Sequence, residues 1–298
     1  MHIAIITGGS NSEREVSLRS GQATFQATQT LGYQASLYDF PVDTARFLEH
    51  YKTIDFVFIM IHGRGGEDGQ IASFLEVLGL RYHCTSPEVL QLTMNKRLTK
   101  QVRRQHSVPV ADDMLIDLAS HIPVYTGPCV IKVLDQGSSV GVRICTDAQQ
   151  FHAALTQAKP YRTIMIESYL TGREVTVAVI DDHDGKPFAL PIVEIIPPDG
   201  ASFDYTNKYN NLTQELCPAN FDEKTTNIMQ DIAIRAYQAV GCTKYGRIDM
   251  IITADGPICL EINTIPGFTS ASLFPKAAAA YGWSFEALVE HLVKLGIT

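Results

Sequence analysis

No uninterrupted apolar run in the 298 residues reaches membrane-spanning length, and the opening MHIAIITGGS lacks the cationic region and cleavage site of a secretory leader. A cytoplasmic protein without a membrane partner is expected. Positive charge is scarce: 24 Lys and Arg stand against 32 Asp and Glu, a formal charge of −8, which argues against a dedicated nucleic-acid binder. The adjacent Arg103 and Arg104 read as a solvated helix face. The six cysteines (Cys84, Cys129, Cys145, Cys217, Cys242, Cys259) include no C-x-x-C pair. Several lie in apolar runs, so they read as buried free thiols rather than zinc ligands or disulfides. Internal repeats and low-complexity segments are absent, and 45% hydrophobic with 19% charged residues is a folded, not a disordered, composition.

What is present begins with alternating strand and helix. HIAIIT, a helix over residues 13–31, DFVFIMI and GQIASFLEVLG imply an open parallel sheet with helices packed on it. TMNKRLTKQVRRQ continues as helix until Pro109 breaks it. PCVIKVLD and VGVRICT then flank a glycine-serine loop, followed by a helix over residues 148–158. Longer strands, an irregular stretch over 197–220, a helix over 222–240, a hairpin and terminal helices complete the chain. The fold class is α/β, turning α+β in later domains, with divisions at 1–86, 87–163 and 164–298.

The segment GRIDMIITADGPICLEINTIPGFTS carries the densest chemistry. Two strand-like runs flank Ala254-Asp255-Gly256, and a three-residue hairpin loop pairs Thr253 with Pro257. Asp249 then lies opposite Glu261, and Arg247 opposite Asn263, all on one face. Two opposed acids need a positive partner, and oxygen donors on that spacing suit Mg²⁺. A two-residue Asp255-Gly256 turn would instead pair Asp249 with Ile262 and send Glu261 to the other face.

The loop from Leu134 to Gly141, with Ser138 and Ser139, has backbone N–H groups and hydroxyls able to close over a triphosphate. Lys132 on the preceding strand and Lys96 are candidate counter-charges. IMIESYL leaves a strand as a polar turn, a setting that suits purine recognition, and Glu174 on the next strand can hold ribose hydroxyls. Near the N-terminus, Ser12 and Glu15 match a capping box, yet Glu15 also lies at the ligand crevice of an open α/β sheet. His62, the first polar residue after DFVFIMI, enters the same crevice among glycines that permit close backbone approach. DYTNKYNNLTQELCPA reads as a lid with Lys208 and Tyr209 as its arms.

Taken in order, TGGSNSEREVSL, IHGRGGEDG, TMNK, VIK before QGSSVG, IES, NKY before CPA, GRID and LEINTIPGFTSASLFP closely resemble the D-alanine-D-alanine ligases of the ATP-grasp superfamily over essentially the whole chain. The resemblance implies a two-part ATP-grasp fold after the parallel sheet, and ATP-driven joining of two D-alanines for peptidoglycan precursors. It makes Lys96, Lys132, Glu167, Leu170 and Glu174 the ATP contacts and Asp249, Glu261 and Asn263 ligands for Mg²⁺, or Mn²⁺. Glu15 would meet the first ammonium and form a set with Ser138 and Tyr209. His62, Arg247, Gly267, Ser272 and Leu273 would frame the dipeptide, Lys208 the transferred phosphoryl group, and a homodimer is expected. Val133 and Ser168 stand where the family often has proline and lysine. The rival expectations are a ligase for another amino-acid pair and a nucleotide-binding module without turnover.

Overall fold

The computed structural model describes residues 1–134, 141–198 and 213–297. Four parallel strands, β1 (His2–Gly8), β2 (Gln34–Phe40), β3 (Phe56–Ile59) and β4 (Arg81–Tyr82), form a first sheet in the order β2-β1-β3-β4. β1 and β3 are buried along their whole length, as continuous apolar runs must be when helices cover both faces. α1 (Arg14–Thr30), α2 (Thr44–His50) and α3 (Gln70–Val77) make the crossovers.

The single helix expected before Pro109 is two, α4 (Pro87–Met94) and α5 (Lys96–Gln105). Asn95 divides them: its backbone is extended and its Oδ1 accepts the Leu98 N–H at 3.1 Å, an N-cap that starts α5 afresh. The second sheet is antiparallel, with β5 (Asp113–Asp117), β6 (Cys129–Val133), β7 (Arg143–Cys145) and β8 (Thr163–Ser168) in the order β5-β8-β6-β7. α6 (Ala148–Ala158) lays Phe151 and Leu155 on it. Because β8 is an inner strand, this sheet runs past residue 163.

The third sheet has six strands: β9 (Arg173–Asp181), β10 (Pro187–Ala189), β11 (Val193–Ile196), β12 (Gln214–Leu216), β13 (Tyr245–Thr253) and β14 (Gly256–Asn263). The main path is β12-β11-β9-β13-β14, so β14 is an edge. α7 (Glu223–Ala239) covers one face, where Val175, Val177, Ile248, Met250, Cys259 and Ile262 meet Met229 and Ile232. α4 and α5 reach this core through Val89, Leu92 and Val102. α8 (Leu273–Tyr281) and α9 (Phe285–Ile297) follow, and Leu288, Val289 and Leu292 of α9 share one core with β1 and β3. The chain thus returns to its first sheet, and each large-to-small change among those leucines costs roughly 2–5 kcal/mol of that bond between units. Three sheets with these junctions bring the ends of β1 and β3, the site-facing side of β13–β14 and the rim of the second sheet together.

Candidate active site

The β13–β14 hairpin pairs Arg247 with Asn263 and Asp249 with Glu261, as alternation predicts. The route differs. The turn has two residues, Ala254 and Asp255, so Thr253 pairs with Gly256 rather than with Pro257, and the ladder runs one step short as far as Met250 and Cys259. A β-bulge at Leu260 absorbs one residue and restores the offset before Glu261.

Asp249 is buried and tightly held. Arg247 donates to it in a fork, Nε to Oδ1 and Nη2 to Oδ2, both at 2.9 Å. Asn263 Nδ2 donates to Oδ2 at 2.9 Å and Thr176 Oγ1 to Oδ1 at 2.6 Å. These four bonds occupy the carboxylate's four lone-pair directions. Burial alone would lower the Arg247 pKa, but the charges of Asp249, Glu261 and Glu67 outweigh it and raise it. Among the described residues no trio of His, Cys, Asp or Glu is gathered for a metal. The hairpin instead offers two carboxylates and one amide, a donor set that suits Mg²⁺ completed by phosphate and water.

The N-terminal crevice holds a correction. Glu15 is exposed, whereas Glu13 is 7% exposed and is the N-cap of α1. The N-cap falls at Glu13 rather than Ser12; Asn11 Oδ1 accepts the Glu13 N–H at 2.7 Å and its Nδ2 donates to the carbonyls of His62 and Arg64. Glu13 continues the buried stripe of Ser17, Ser20, Thr24 and Ala27, whereas Glu15, about 200° further round at 3.6 residues per turn, faces away. Glu13 Oε1 would lie 2.5 Å from a Cβ placed on Gly63, whose φ is +69°. Only glycine allows both that conformation and that approach.

His62 is 2% exposed. Its Nδ1 must donate to the Ile265 carbonyl (2.9 Å), which leaves Nε2 to accept from Ser20 Oγ (2.8 Å). Burial pushes its pKa down to about 4, so the ring is neutral. Ser20 Oγ in turn accepts the Phe268 N–H at 3.2 Å. Both ring nitrogens are thus spent pinning the loop before α8 to α1. Glu67, which sequence reasoning passed over, accepts the Gly63 N–H at 3.0 Å; burial first, then the Glu13 charge, pushes its carboxyl up to about 8.

The pinned loop carries Gly267 and ends at Ser272, the N-cap of α8, with Leu273 buried behind it. Ser272 Oγ accepts the Thr269 N–H at 3.1 Å, and a Cβ on Gly267 would meet that same oxygen at 3.1 Å. A helix N-terminus beside a backbone N–H suits a carboxylate.

Between α5 and the second sheet, Lys132 Nζ pairs with Glu167 Oε2 at 2.5 Å and Lys100 Nζ with Glu167 Oε1 at 2.6 Å. Burial would raise the Glu167 pKa, yet the two ammoniums prevail and lower it. Lys100, 3% exposed, was missed; its signal was its place four residues after Lys96, one turn along the same helix face. Lys96 lines a cavity of about 40 Å³ with Glu67, Thr99, Arg103, Glu261 and Asn263. Glu174 shares the face of β9 that carries Thr176, and Leu170 follows β8. Ser138, Ser139, Lys208 and Tyr209 lie outside the described residues. Arg103 corrects a further expectation: it is 2% exposed, not solvated, while Arg104 is exposed and pairs with Asp113.

A family model described as D-ala D-ala ligase C-terminus matches residues 101–294. A D-alanine-D-alanine ligase of Desulforudis audaxviator is 38% identical, the match covering 98% of this chain and 97% of that one. That of Halalkalibacterium halodurans is 35% identical over 100% and 99%. Among solved structures, the Bacillus anthracis D-alanine-D-alanine ligase complexed with ATP superposes with a TM-score of 0.85 at 26% identity, covering 100% of this chain and 97% of that one. The VanG D-Ala:D-Ser ligase of Enterococcus faecalis gives 0.81 at 26%, covering 99% and 98%. With relatives at this identity over almost its full length, the chain belongs to the D-alanine-D-alanine ligase family, with the ATP-grasp fold.

Proposed function

We propose that the face formed by Arg247, Asp249, Glu261 and Asn263, joined to the Glu13 crevice through the His62–Ile265 bond, is where this ATP-dependent ligase joins two D-alanines for peptidoglycan synthesis. What supports the reading is that Arg247 and the metal-type donors share one face of the β13–β14 hairpin, while His62 bonds the loop that leads into the start of α8.

Amide formation from a carboxylate and an amine is uphill in water, so the first D-alanine carboxylate attacks the γ-phosphorus of ATP, the bond to the β,γ-bridging oxygen breaks, ADP leaves and an acyl phosphate forms. The second D-alanine's amine attacks that carbonyl, and phosphate leaves with the carboxylate oxygen. Glu13 takes the role expected of Glu15 and meets the first ammonium. Arg247 gives two of its five N–H groups to Asp249, which leaves three for the developing oxyanion. With the Gly267 N–H, each such donor is worth roughly 3 kcal/mol. Ser272 and the start of α8 receive the second carboxylate, and Leu273 packs behind it. Lys96 and Lys132 counter the phosphates, Glu167, Leu170 and Glu174 frame the nucleoside, and Ser138, Ser139, Lys208 and Tyr209 are assigned by resemblance to the closing loops.

Mg²⁺, or Mn²⁺, supplies charge neutralisation at the phosphates when bound. Asp249, Glu261 and Asn263 would hold it, and the Asn263 amide is the partner of Asp249 best able to yield, since turning it presents Oδ1 in place of Nδ2. A cytoplasmic homodimer completes the proposal; no described helix is long and apolar enough to cross a membrane.

ADP release with ATP, Mg²⁺ and D-alanine, compared with L-alanine, D-serine and D-lactate, tests the substrate assignment, with products identified by mass. Turnover on D-alanine alone, giving D-alanyl-D-alanine, is expected. Faster turnover with D-serine as acceptor would reassign the second subsite.

A further inference from the structure

Cys259 and Ile262 are both buried, 1% and 5% exposed, in the core shared by Ile248 and Met250. Three residues apart, they would fall on opposite faces of a regular strand. The bulge at Leu260 reconciles them and leaves Glu261 opposite Asp249. Without it the two-residue turn would place Glu261 on the core face and Leu260 in its stead, since a one-residue slip exchanges the two faces.

A bulge disrupts the ladder, and β14 is an edge strand with no strand beyond it among the described residues. Arg103 lies there. Its Nη1 donates to the Cys259 carbonyl at 3.3 Å and to Cys259 Sγ at 2.9 Å, its Nη2 to the Leu260 carbonyl at 3.1 Å, and its Nε back to Thr99 O at 3.4 Å on its own helix. The Cys259 N–H donates to Pro109 O at 2.8 Å. A buried guanidinium therefore spends both of its terminal nitrogens on Cys259 and Leu260 at the bulge, immediately before Glu261. It also forms part of the wall of the cavity that Glu261 and Asn263 line.

We propose that Arg103 is a positioning residue for the ligation reaction: by clamping the Leu260 bulge from α5, it fixes Glu261 on the face of Asp249 and so sets the affinity of the site for a divalent cation. The inference rests on the metal reading given above.

The test is Mn²⁺ binding followed by electron paramagnetic resonance, with a non-hydrolysable ATP analogue present, alongside thermal denaturation without metal. Arg103→Met keeps the apolar stem and removes the donors; its Mn²⁺ affinity should fall by about 10- to 100-fold, the usual effect of losing an outer-sphere support. Arg103→Lys, with one point donor, should fall between, and it carries the comparison if the Met variant does not fold. Deleting Leu260 in the Arg103→Met background removes the residue that needs clamping while leaving Cys259 and Ile262 on the core face and Glu261 opposite Asp249. Affinity should then return to near the parent value. Parent-like Mn²⁺ affinity in Arg103→Met and Arg103→Lys, with only the melting temperature lowered, would overturn the inference alone, as would failure of the deletion to restore affinity. Absence of Mn²⁺ binding by the parent chain would overturn the metal reading and the inference with it.

Discussion

Exchanging Glu13 and Glu15 for glutamine separates two carboxylates that the sequence places only two residues apart. Glu13 is 7% exposed and packs over Gly63, whereas Glu15 is exposed on the far side of α1. If Glu13 meets the ammonium of the first D-alanine, Glu13→Gln leaves a desolvated charge unpaired, a loss of about 2–5 kcal/mol. That corresponds to roughly 30-fold to several thousand-fold in kcat/KM for D-alanine. Glu15→Gln removes only a solvated charge, worth about 1 kcal/mol or less, so its kcat/KM stays within about fivefold. Stability should move the other way. The Glu13 charge contributes to raising the Glu67 carboxyl pKa, so its removal relieves repulsion and leaves the melting temperature unchanged or higher. Glu15→Gln loses a first-turn acid that complements the helix dipole and drops slightly. Steady-state ADP release over a range of D-alanine concentrations, with thermal denaturation of both variants, makes the comparison. Glu15→Gln losing more activity than Glu13→Gln would refute the reassignment.

Lys100→Met should raise the KM for ATP at least tenfold with a smaller change in kcat, because Glu167 loses one of its two ammonium partners; an unchanged KM would dissociate Lys100 from the nucleotide site. Breaking that buried pair should also cost about 3–5 kcal/mol of stability. His62 is neutral in the fold, with a pKa near 4 against an ordinary 6.5. The unfolded chain therefore binds the extra proton first as pH falls, and stability present above pH 6.5 is lost between 6.5 and 4, by roughly 3 kcal/mol. Chemical denaturation across that window should show this slope, and a His62→Asn variant should lack its His62 share. Arg247→Ala should lower turnover far more than ATP binding, and equal losses would count against its place at the oxyanion. Five of the six thiols are buried, with Cys217 alone half-buried, so a native chain should present at most one thiol to Ellman's reagent.

The hairpin shows how far the sequence carries. Alternation placed Arg247, Asp249, Glu261 and Asn263 on one face without any structure, because period-two patterning is a strong constraint. The bulge that achieves it was hidden, since a three-residue turn and a two-residue turn with a bulge give the same final pairing. Glu13 rather than Glu15 is buried because of the helix boundary: Ser12 to Glu15 has capping-box spacing, but the side chain of Asn11 meets the Glu13 N–H, and the helix starts one residue later. The buried stripe of Ser17, Ser20 and Thr24 was the available signal for Glu13, and it is weak because those residues are polar. Arg103 read as surface for the same reason that charge usually does; only the edge of β14, a tertiary feature, explains its burial. Asn95 splits a helix that its neighbours' propensities would continue, through a side-chain cap that competes locally with the backbone ladder.

On the proposed mechanism the chain activates a D-alanine carboxylate by phosphoryl transfer and joins it to a second D-alanine. Incubation with ATP, Mg²⁺ and D-alanine carrying ¹⁸O in its carboxylate tests this directly, with the released phosphate analysed by mass. One ¹⁸O should appear in phosphate for every D-alanyl-D-alanine formed. Unlabelled phosphate accompanying dipeptide, or ATP consumed without dipeptide, would contradict the account.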